Sequence, residues 1–528
     1  MTAVDVAERG EVRAGMEISP DYDEFSRRHD SGVPQVVWTR LVADLETPVS
    51  AYLKLAAGRP LSFLLESVEG GAVRGRYSVI GLAPDVVWRA NGPEAQINRN
   101  PADAGAFAVD PRPALDSLRA LIAESRLELP LDLPAVAAGV FGYMGYDTIR
   151  LIERLPNIGP DDLGVPDSVL IRPTLIVVFD AVRDEMLLVT PVRPAPGVAA
   201  EAAYRAALAR LEGAVAALEA QMPHTHAIGE ETLATPEPVS NTTAAEYMAM
   251  VARAKEYIVA GDIFQVVLSQ RFSAPFSLPA LSLYRALRRL NPSPFLFHLD
   301  LGGFALVGSS PEILVRVRGG EVTIRPIAGT ARRGMNLEDD RRLAENLLAD
   351  PKERAEHLML LDLGRNDVGR VAEIGTVEVT EQFVVERYSH VMHIVSNVIG
   401  RLAGGHDSVD ALMAGFPAGT VSGAPKVRAM EIIDELEKSK RGPYAGCVGY
   451  FSADGEMDTC IVLRTALVKD GMLHVQAGAG VVYDSLPENE QQECINKAKA
   501  VIRAAEEAVR FASKGGAAAR SGNGGPFA

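Results

Sequence analysis

Residues 477–500 read AGAGVVYDSLPENEQQECINKAKA, a glycine-containing segment that leads into a long helical pattern. From Ile495 onward, apolar residues recur at intervals of three and four, which predicts a helix that buries one face. This apolar stripe comprises Ile495, Ala498, Ile502, Ala505 and Val509. Glu490, Glu493 and Lys497 fall on the opposite face, because residues three or four apart on a helix are neighbours. The stretch therefore predicts a core helix that carries two carboxylates side by side.

A second pair of glutamates, Glu353 and Glu356, lies in KERAEH at residues 352–357. Apolar residues at 358–363 point in every direction around the helix, which predicts that this helix is buried on most sides. Carboxylates on a buried helix are costly unless a cation or hydrogen-bond donors compensate them. The residues alone leave two interpretations open: both pairs lie on solvated helix faces, or together they enclose a cation. Hard cations such as Mg²⁺ take a few carboxylates together with water and substrate oxygens.

The composition is that of a globular protein, since 47% of the 528 residues are hydrophobic and 23% are charged. A net charge of −16 argues against a nucleic-acid or anionic-membrane partner. It also means that a site for an anionic substrate must supply its own positive charge. Cys447, Cys460 and Cys494 form no CxxC pair, which indicates a reducing compartment without a thiolate metal site. Without an apolar signal core or a run of about 18 apolar residues, we expect a soluble cytoplasmic protein.

Short β-like runs and helical patterns alternate along the chain, which predicts a mixed α/β fold. TLIVVFDA at 174–181 and EMLLVTPV at 185–192 precede a strong helix pattern at 198–222. The stretch after this helix contains Pro and Thr and predicts a linker, with the main boundary near residue 235. The predicted segments are a flexible N-terminus at 1–18, an N-terminal region at 19–234, a second domain at 235–511 and a disordered tail at 512–528.

Three further stretches are suited to an anion or to close approach of a ligand. AGTVSGAPKVRAMEII at 418–433 places small residues before a helix, where backbone N–H groups suit an anion, although an ordinary tight turn explains it equally well. Gly478 and Gly480 follow a β-like run and permit close approach to the backbone. Arg464 interrupts the apolar run CIVLRTALV; a charge in such a position calls for a partner, and an anionic ligand is one candidate.

In combination, six stretches resemble the signature blocks of the chorismate-utilising enzymes, and the resemblance spans about residues 240–510. The six blocks are IAGTARRG, DPKERAEHLMLLDLGRNDVGRV, SHVMHIVSNV, FPAGTVSGAPK, RGPYAGCVGYF and AGAGVVYDSLPENEQQECINKAKA. Upstream, FLLESVEGGAVRGRYSVIG at 63–81 and AAGVFGYMGYD at 137–147 resemble the N-terminal region of anthranilate synthase large components. The resemblance implies an α/β (α+β) fold of stacked β-sheets wrapped by helices, with an interleaved N-terminal regulatory region. It makes residues 235–511 the chorismate-binding catalytic domain.

The resemblance also implies roles for individual residues. Chorismate is a dianion with a ring carboxylate and an enolpyruvyl carboxylate, and Mg²⁺ between the two glutamate pairs is the implied cofactor. The implied metal ligands are Glu356 and Glu493 most directly, with Glu353 and Glu490 nearby. The implied substrate-binding residues are Gly329, Thr330, Tyr444, Arg464, Gly478, Ala479 and Gly480. The implied catalytic residues are Glu312 as general acid, His393 in a second, lyase-like step, Thr420, and Lys497 as added positive charge.

Two positions distinguish the relatives by their nucleophile. Family members that use water as the nucleophile resemble one another, because they share a lysine base in the stretch K-V-x-L-S-R. This chain has QVVLSQ there, with Gln265 in place of the lysine. Aminodeoxychorismate synthases commonly carry lysine in PIKGT, whereas this chain has PIAGT with Ala328. Both differences favour an anthranilate synthase, which uses ammonia and needs no base. The runner-up is an aminodeoxychorismate synthase component I without that lysine, and a non-catalytic amino-acid sensor is an alternative of another class.

The resemblance finally implies a partner and an inhibitor. The chain contains no GxCxGxQ-type nucleophile elbow, so ammonia is expected from a separate glutamine amidotransferase subunit, component II, within a hetero-oligomer. L-tryptophan is the expected feedback inhibitor, at a site distinct from that of chorismate. The implied inhibitor-binding residues are Glu66 for the ammonium group, Ser67 for the carboxylate, and Pro294, Phe295 and Leu296 for the indole.

Overall fold

A computed structural model of the chain describes residues 16–56, 58–69, 73–223, 237–388 and 391–521. Within them, helices α1 to α11 span Tyr22–Asp30, Pro48–Ala56, Ala114–Ser125, Ala200–Glu219, Ala244–Ala260, Ala280–Leu290, Leu337–Ala349, Pro351–Gly369, Ser408–Gly415, Lys426–Leu436 and Pro487–Ser521. Short 3₁₀ helices lie at Ala135–Ala137, Tyr146–Leu151 and Gly419–Val421. No helix in the described part of the chain combines the length and the apolar character that crossing a membrane requires.

Strands β1 to β23 of the described residues span Ile18–Ser19, Gln35–Val42, Ser62–Glu69, Val73–Asn91, Glu94–Asn98, Phe107–Pro113, Gly139–Met144, Ser168–Asp180, Glu185–Val192, Val239–Ser240, Gln265–Pro275, Phe295–Asp300, Phe304–Ser310, Ile313–Arg318, Glu321–Ile324, Ile327–Arg332, Glu378–Arg387, Val391–Arg401, Gly423–Ala424, Cys447–Ser452, Met457–Ile461, Thr465–Lys469 and Met472–Val481.

The strands pair in antiparallel fashion and form two runs that share β8. One run follows the order β1, β2, β9, β8, β4, β3, β12, β13, β22, β23, β11. The other follows β8, β7, β20, β21, β14, β15, β18, and β16 and β17 also pair with β18. Antiparallel pairing with helices packed outside is the α+β form of the predicted α/β class.

The N-terminal and C-terminal parts of the chain share both runs of strands. In the first run, β3 pairs with β12, and Ser67 lies opposite Phe295. In the second run, β7 pairs with β20, and Gly142 lies opposite Gly449. The predicted interleaving of the N-terminal region is therefore confirmed. Strands from both sides of the predicted boundary belong to one connected sheet, while residues 224–236 of the predicted linker lie outside the described residues.

Three large clusters of buried apolar side chains give the fold its layers. One cluster lies between the two runs of strands and includes Phe63, Phe141, Leu306 and Val448. A second joins the first run to α1, α2, α4, α6 and α11. A third joins the second run to α3, α5, α9, α10 and part of α8. The predicted arrangement of stacked sheets wrapped by helices is confirmed. The third cluster also contains Cys494, so α11 contacts both helix layers.

Several predicted elements agree with the structure. The run at 185–192 forms β9, and the helix pattern at 198–222 contains α4. The apolar stripe of α11 is also confirmed, because its residues, which follow one another at intervals of three and four, are buried. The buried members are Ala498, Ile502, Ala505 and Val509, and Ile495 is partly buried.

Three expectations require correction or fall outside the described residues. The helix α8 buries one face only, through residues such as Leu360 and Leu361, while Leu358 remains 47% exposed. Apolar residues surround this part of the helix, but only those on the buried face pack against other elements, so Leu358 is left exposed. The helix α11 continues to Ser521, beyond the predicted end of the second domain at residue 511. Residues 522–528 and 1–15 lie outside the described residues.

Candidate active site

The start of α8 positions the first glutamate pair. Asp350 caps the helix by accepting hydrogen bonds from two backbone N–H groups of the first turn, at 2.8 and 3.3 Å, and Pro351 occupies the first helical position. Glu353 and Glu356 follow on one face of the helix. The pKa of Glu353 is raised, first by burial and then by repulsion from Glu356, and Glu493 contributes to the same repulsion.

The helix α11 brings the second pair close to the first. Glu490 is buried, and its pKa is raised mainly by burial, with added repulsion from Glu493. Glu493 is about half exposed and forms an ion pair with Lys497 at 2.7 Å. Because Glu493 also raises the pKa of Glu353, the two pairs lie near one another. These couplings define an acidic cluster of Glu353, Glu356, Glu490 and Glu493, whose role as metal ligands stays a prediction.

This acidic cluster is suited to a hard cation. Among the described residues, no three His, Cys, Asp or Glu side chains come close enough together to hold a metal ion by themselves. The pKa values of Glu353 and Glu490 are raised first by burial and then by repulsion from neighbouring carboxylates. Mg²⁺ completes its coordination with water and ligand oxygens, and its binding at these carboxylates stays a prediction.

Residues of β16 and β11 reach the acidic cluster as well. Gly329 has a left-handed backbone with a φ of +66°, and a β-carbon there would lie 3.0 Å from Oε2 of Glu353. Gln265 donates from Nε2 to Oε1 of Glu356 at 3.1 Å, and its own Oε1 is buried without a partner in the described part of the chain. Glycine at 329 therefore lets the backbone of β16 approach the carboxylates, and Gln265 contacts them from β11.

Gly478, Ala479 and Gly480 lie inside β23, whereas the sequence places Gly478 and Gly480 after a strand. On one side all three pair with β11. On the other side, the pairing with β22 ends at Val475, so beyond this residue the edge of β23 has no strand partner among the described residues. Lys497 donates to the carbonyl oxygen of Gly478 at 2.9 Å. The backbone groups expected to bind the substrate therefore belong to a strand edge rather than to a loop.

Tyr444 and Arg464 lie close to this edge. A β-carbon at Gly478 would lie 2.9 Å from the hydroxyl oxygen of Tyr444. Arg464 has a φ of +50° and separates β21 from β22, so the predicted single apolar run is in fact two strands. Its guanidinium forms no recorded hydrogen bond or ion pair within the described residues, and burial lowers its pKa. A largely buried cation of this kind is suited to a carboxylate of a ligand.

Glu312 is buried between β13 and β14. Thr420 donates a hydrogen bond to Oε1 of Glu312 at 3.3 Å. Burial raises the pKa of Glu312 to about 8, although the Thr420 hydroxyl and the charge of Arg464 act in the opposite direction. At neutral pH the carboxyl therefore keeps its proton, as a general acid requires.

His393 is fixed through one of its two ring nitrogens. Its Nδ1 lies 2.9 Å from the carbonyl oxygen of Gly329 and 3.1 Å from Oγ1 of Thr330. Burial lowers the pKa of His393, so the imidazole is neutral and its Nδ1–H donates to Gly329. In this tautomer Nε2 is a proton acceptor, and no protein partner for it is recorded among the described residues.

The predicted inhibitor residues line a cavity of about 1020 Å³. They are Glu66, Ser67, Pro294, Phe295 and Leu296. Side chains alternate along a strand, so Ser67 and its partner Phe295 share one face of the sheet, whereas Glu66 and Leu296 share the other. The structure therefore brings the five residues together but divides their side chains between two faces.

The carboxylate of Glu66 has partners within the protein. It accepts two hydrogen bonds from Arg288, at 2.6 and 2.9 Å, and one from the hydroxyl of Tyr284. Both partners belong to α6, which packs on the face of β3 away from Ser67. The role of Glu66 toward the ammonium group of a ligand stays a prediction. Ser67 and Phe295 remain the residues whose side chains share the cavity face.

Two contacts of predicted site residues were missed at the sequence level. The first is the contact of Tyr284 and Arg288 with Glu66, and the spacing of four residues on one helix could have indicated that Tyr284 and Arg288 act together. The second is the aromatic contact between Tyr388 and His393, whose ring centroids lie 5.6 Å apart. No periodicity in the sequence indicates this contact. Tyr388 directly follows β17 and His393 lies in β18, so the two rings meet only because these strands pair.

Comparison with known proteins places the chain in a family. The family described as chorismate binding enzyme matches residues 73–503. Since this match covers well over half of the chain, the protein belongs to the chorismate binding enzyme family.

Its relatives within this family are components of anthranilate synthases. Anthranilate synthase component 1 of Cereibacter sphaeroides is 58% identical over 496 residues, which cover 94% of this chain and 99% of that protein. Anthranilate synthase component 1 of Pseudomonas putida is 48% identical over 480 residues, which cover 90% of this chain and 95% of that protein. The predicted resemblance is thereby confirmed.

Solved structures agree with this assignment. Anthranilate synthase component I from Streptococcus pneumoniae has a TM-score of 0.72 at 38% identity, and the match covers 88% of this chain and 98% of that chain. The menaquinone-specific isochorismate synthase from Escherichia coli has a TM-score of 0.67 at 21% identity, which shows the shared fold.

We expect Glu312 to make the stability of the protein depend on pH. The pKa of Glu312 is about 8 in the folded protein, against an ordinary value of 4.5, so between these pH values the folded state holds one more proton than the unfolded state. The free energy of unfolding should therefore fall as pH rises through this window, by up to about 1.4 kcal/mol per pH unit. Glu312→Gln should lack this contribution.

Denaturant titrations at several pH values measure the effect. Glu345→Gln on α7 is the matched control, because Glu345 is exposed and its replacement should keep the wild-type slope. Parallel pH slopes for the wild type and Glu312→Gln would contradict the assignment of a buried proton.

Proposed function

We propose that this chain is the large, aminating component of an anthranilate synthase, which makes anthranilate and pyruvate from chorismate and ammonia in the cytoplasm. The observation that carries the proposal is the pairing of a protonated acid with a cation in one buried site. Glu312 keeps its proton near neutral pH, and Arg464 has no recorded partner in the described part of the chain. Such a pair can hold an anionic substrate and protonate its leaving group. The relatives at 58% and 48% identity support the same activity.

The site offers separate positions for the two carboxylates of chorismate. Arg464, the hydroxyl of Tyr444 and the free edge of β23 suit the enolpyruvyl carboxylate. The ring carboxylate belongs at the acidic cluster. Mg²⁺ held there by the glutamates of α8 and α11 would neutralise the ring carboxylate and the charge that develops on it during the reaction. This division explains how a chain of net charge −16 accepts a dianion.

In the first step, ammonia forms a bond to the ring while the C–O bond of the ring hydroxyl breaks. Hydroxide is a poor leaving group, so Glu312 donates its proton and water departs. Thr420, whose hydroxyl donates to Glu312 at 3.3 Å, orients the carboxyl. The attached nitrogen then releases its extra proton, which completes the exchange of hydroxyl for amine.

In the second step, the ring loses a proton and the enolpyruvyl C–O bond breaks, which leaves an aromatic amine. The departing enolpyruvate takes up a proton and becomes pyruvate. His393 is suited to the proton transfer, because its Nδ1–H is fixed on the carbonyl of Gly329 and its Nε2 is left as the acceptor.

Gln265 supports ammonia as the nucleophile. Its side chain is a neutral amide that is hydrogen-bonded to Glu356 at 3.1 Å. Family members that use water share a lysine at this position. An amide cannot take a proton from water, whereas ammonia is nucleophilic without a base. Ala328 on β16 offers no amine that could attack the ring itself, which disfavours the aminodeoxychorismate synthases.

A second subunit and an inhibitor belong to the same proposal. Ammonia comes from a separate glutamine amidotransferase, component II, bound in a hetero-oligomer, and the names of the relatives as component 1 support a second component. L-tryptophan binds in the cavity between Ser67 and Phe295 and acts as a feedback inhibitor.

Turnover by the purified chain tests the activity directly. With chorismate, Mg²⁺ and an ammonium salt, we expect anthranilate fluorescence, and the rate should rise with pH as more ammonia becomes unprotonated. This rise should end near pH 8, where Glu312 loses its proton. Glutamine should give no product unless component II is added.

Each other outcome has a defined meaning. A 4-amino product would assign the aminodeoxychorismate synthase, and no product from any nitrogen source would favour the sensor. Glutamine-dependent product from the pure chain would contradict the separate subunit.

The metal assignment is tested by Glu356→Gln and Glu493→Gln. An amide is a poor ligand for a hard cation, so each substitution should lower Mg²⁺-dependent turnover by more than about 100-fold. Mg²⁺ binding measured by calorimetry should weaken in parallel, while unfolding curves remain cooperative.

Glu488→Gln is the matched control, since Glu488 is exposed in the first turn of the same helix, α11, and belongs to neither pair. It should bind Mg²⁺ as the wild type does. Near-normal turnover of Glu356→Gln or Glu493→Gln at ordinary Mg²⁺ concentrations would refute the metal site.

The inhibitor site is tested by Ser67→Arg. A long side chain on the cavity face should fill the space that tryptophan needs, so inhibition should weaken by at least about tenfold. Inhibition curves with ammonium as the nitrogen source measure this, with the rate in the absence of tryptophan as reference. Ser31→Arg, at an exposed serine outside the cavity, should be inhibited as the wild type is. Unchanged inhibition of Ser67→Arg would disprove this pocket.

A further inference from the structure

The large cavity and the catalytic residues share part of one wall. Besides Ser67 and Phe295, the lining of the cavity of about 1020 Å³ includes Pro311 and Tyr388. Pro311 directly precedes Glu312, the general acid. The cavity therefore extends from the face assigned to the inhibitor to residues that adjoin the site of the reaction.

Tyr388 contacts the cavity and the catalytic histidine at the same time. Its ring packs against the imidazole of His393, with centroids 5.6 Å apart and planes inclined at 62°. Its hydroxyl donates to Oε2 of Glu386 at 2.7 Å, and Glu386 also accepts a hydrogen bond from Arg325. Glu386 and Arg325 both line the cavity. Glu386 and its partner Arg325 thus fix the hydroxyl side of Tyr388, and the ring of Tyr388 contacts His393.

The orientation of His393 depends on this ring contact. The imidazole is hydrogen-bonded through Nδ1 to Gly329 and Thr330, which fixes one edge of the ring. Among the aromatic residues that the structure describes, Tyr388 is the recorded partner that packs against His393. Edge-to-face packing restricts the tilt of a ring that a single hydrogen-bonded nitrogen leaves free. The direction of Nε2, the proton acceptor, therefore follows the position of Tyr388.

We propose that Tyr388 is a positioning residue for His393 and the element through which occupancy of the cavity reaches the reaction. A ligand that packs better against one position of Tyr388 shifts the population of the protein toward that position. His393 then presents Nε2 in a different direction, and the proton transfer of the second step slows. The proposal rests on the proposed function, because tryptophan is the ligand assigned to the cavity.

Two substitutions separate the ring of Tyr388 from its hydroxyl. Tyr388→Leu removes the contact with His393, so the kcat of the ammonium-dependent reaction should fall about tenfold while the KM for chorismate changes less than about twofold. Tryptophan should still bind in calorimetry but should inhibit this variant at least about fivefold less. Tyr388→Phe keeps the ring and loses the bond to Glu386, so it should fall between the wild type and Tyr388→Leu in both respects.

Tyr143→Phe is the matched control. The ring of Tyr143 packs edge-on against Phe304 with centroids 6.0 Å apart, and its hydroxyl donates to the carbonyl oxygen of Pro166. It is therefore held as Tyr388 is, but it lines neither the cavity nor the catalytic site. Its kinetics and its inhibition should match those of the wild type.

A spectroscopic measurement tests the proposal without using activity. Histidine labelled with ¹³C at the imidazole gives a resonance for His393, which is assigned by its loss in His393→Asn. Added tryptophan should shift this resonance in the wild type and in Tyr143→Phe, but not in Tyr388→Leu. An equal shift in Tyr388→Leu, or no shift in the wild type at saturating tryptophan, overturns the proposal. Absence of anthranilate from the wild type would overturn the proposed function instead, and the resonance would still decide the role of Tyr388.

Discussion

Repulsion among the glutamates of α8 and α11 is the constraint around which the site is arranged. Glu353 and Glu490 both lie in the first turn of their helices, where the positive end of the helix dipole stabilises negative charge. Lys497 compensates Glu493 from one turn further along α11. The pKa values of Glu353 and Glu490 nevertheless stay raised, first by burial and then by repulsion. The fold therefore keeps negative charge at this place that a bound cation can balance.

A buried ion pair fixes the opposite wall of the site. Arg441 is almost fully buried and binds Glu437 at 2.6 Å, and it donates to the carbonyl oxygens of Val421 and Val267 at 2.7 Å. Its guanidinium lies 5.5 Å from the ring centroid of Tyr444. One cation thus links β11, the 3₁₀ helix that carries Thr420, and Tyr444. Removing one partner of such a pair costs about 3–5 kcal/mol, which makes this arrangement hard to vary.

The sequence predicted the site where its signals were periodic or local. The spacing of the glutamates and the stripe of α11 follow directly from helix geometry, and the stripe is confirmed. Strand geometry also places the side chains of the neighbours Glu66 and Ser67 on opposite sides of the sheet, which the sequence interpretation did not consider. The contact of Tyr388 with His393 had no such signal, since it depends on the pairing of β17 with β18.

The glycines of β23 show a different limit of the sequence. The sequence predicts Gly478 and Gly480 just after a strand, with close approach to the backbone, and the structure places them inside the strand. The structure instead uses them to bring side chains against the strand, because a β-carbon at Gly478 would lie 2.9 Å from the Tyr444 hydroxyl and one at Gly480 would lie 2.7 Å from Nε2 of Gln265. The glycines in a sequence indicate that another group lies close to the backbone. They do not indicate which helix or strand that group belongs to.

The interleaving of the N-terminal strands gives inhibition at a distance a physical basis. Ser67 on β3 lies opposite Phe295 on β12, β12 pairs with β13, and β13 leads through Pro311 to Glu312. Because protein interiors are close-packed, a ligand wedged against β3 and β12 displaces its neighbours rather than being absorbed by them. A scaffold that only sensed an amino acid would need the cavity but not a buried protonated carboxyl. The predicted loss of unfolding free energy as pH rises toward 8 follows from the burial of the Glu312 carboxyl, which its proposed role as general acid requires.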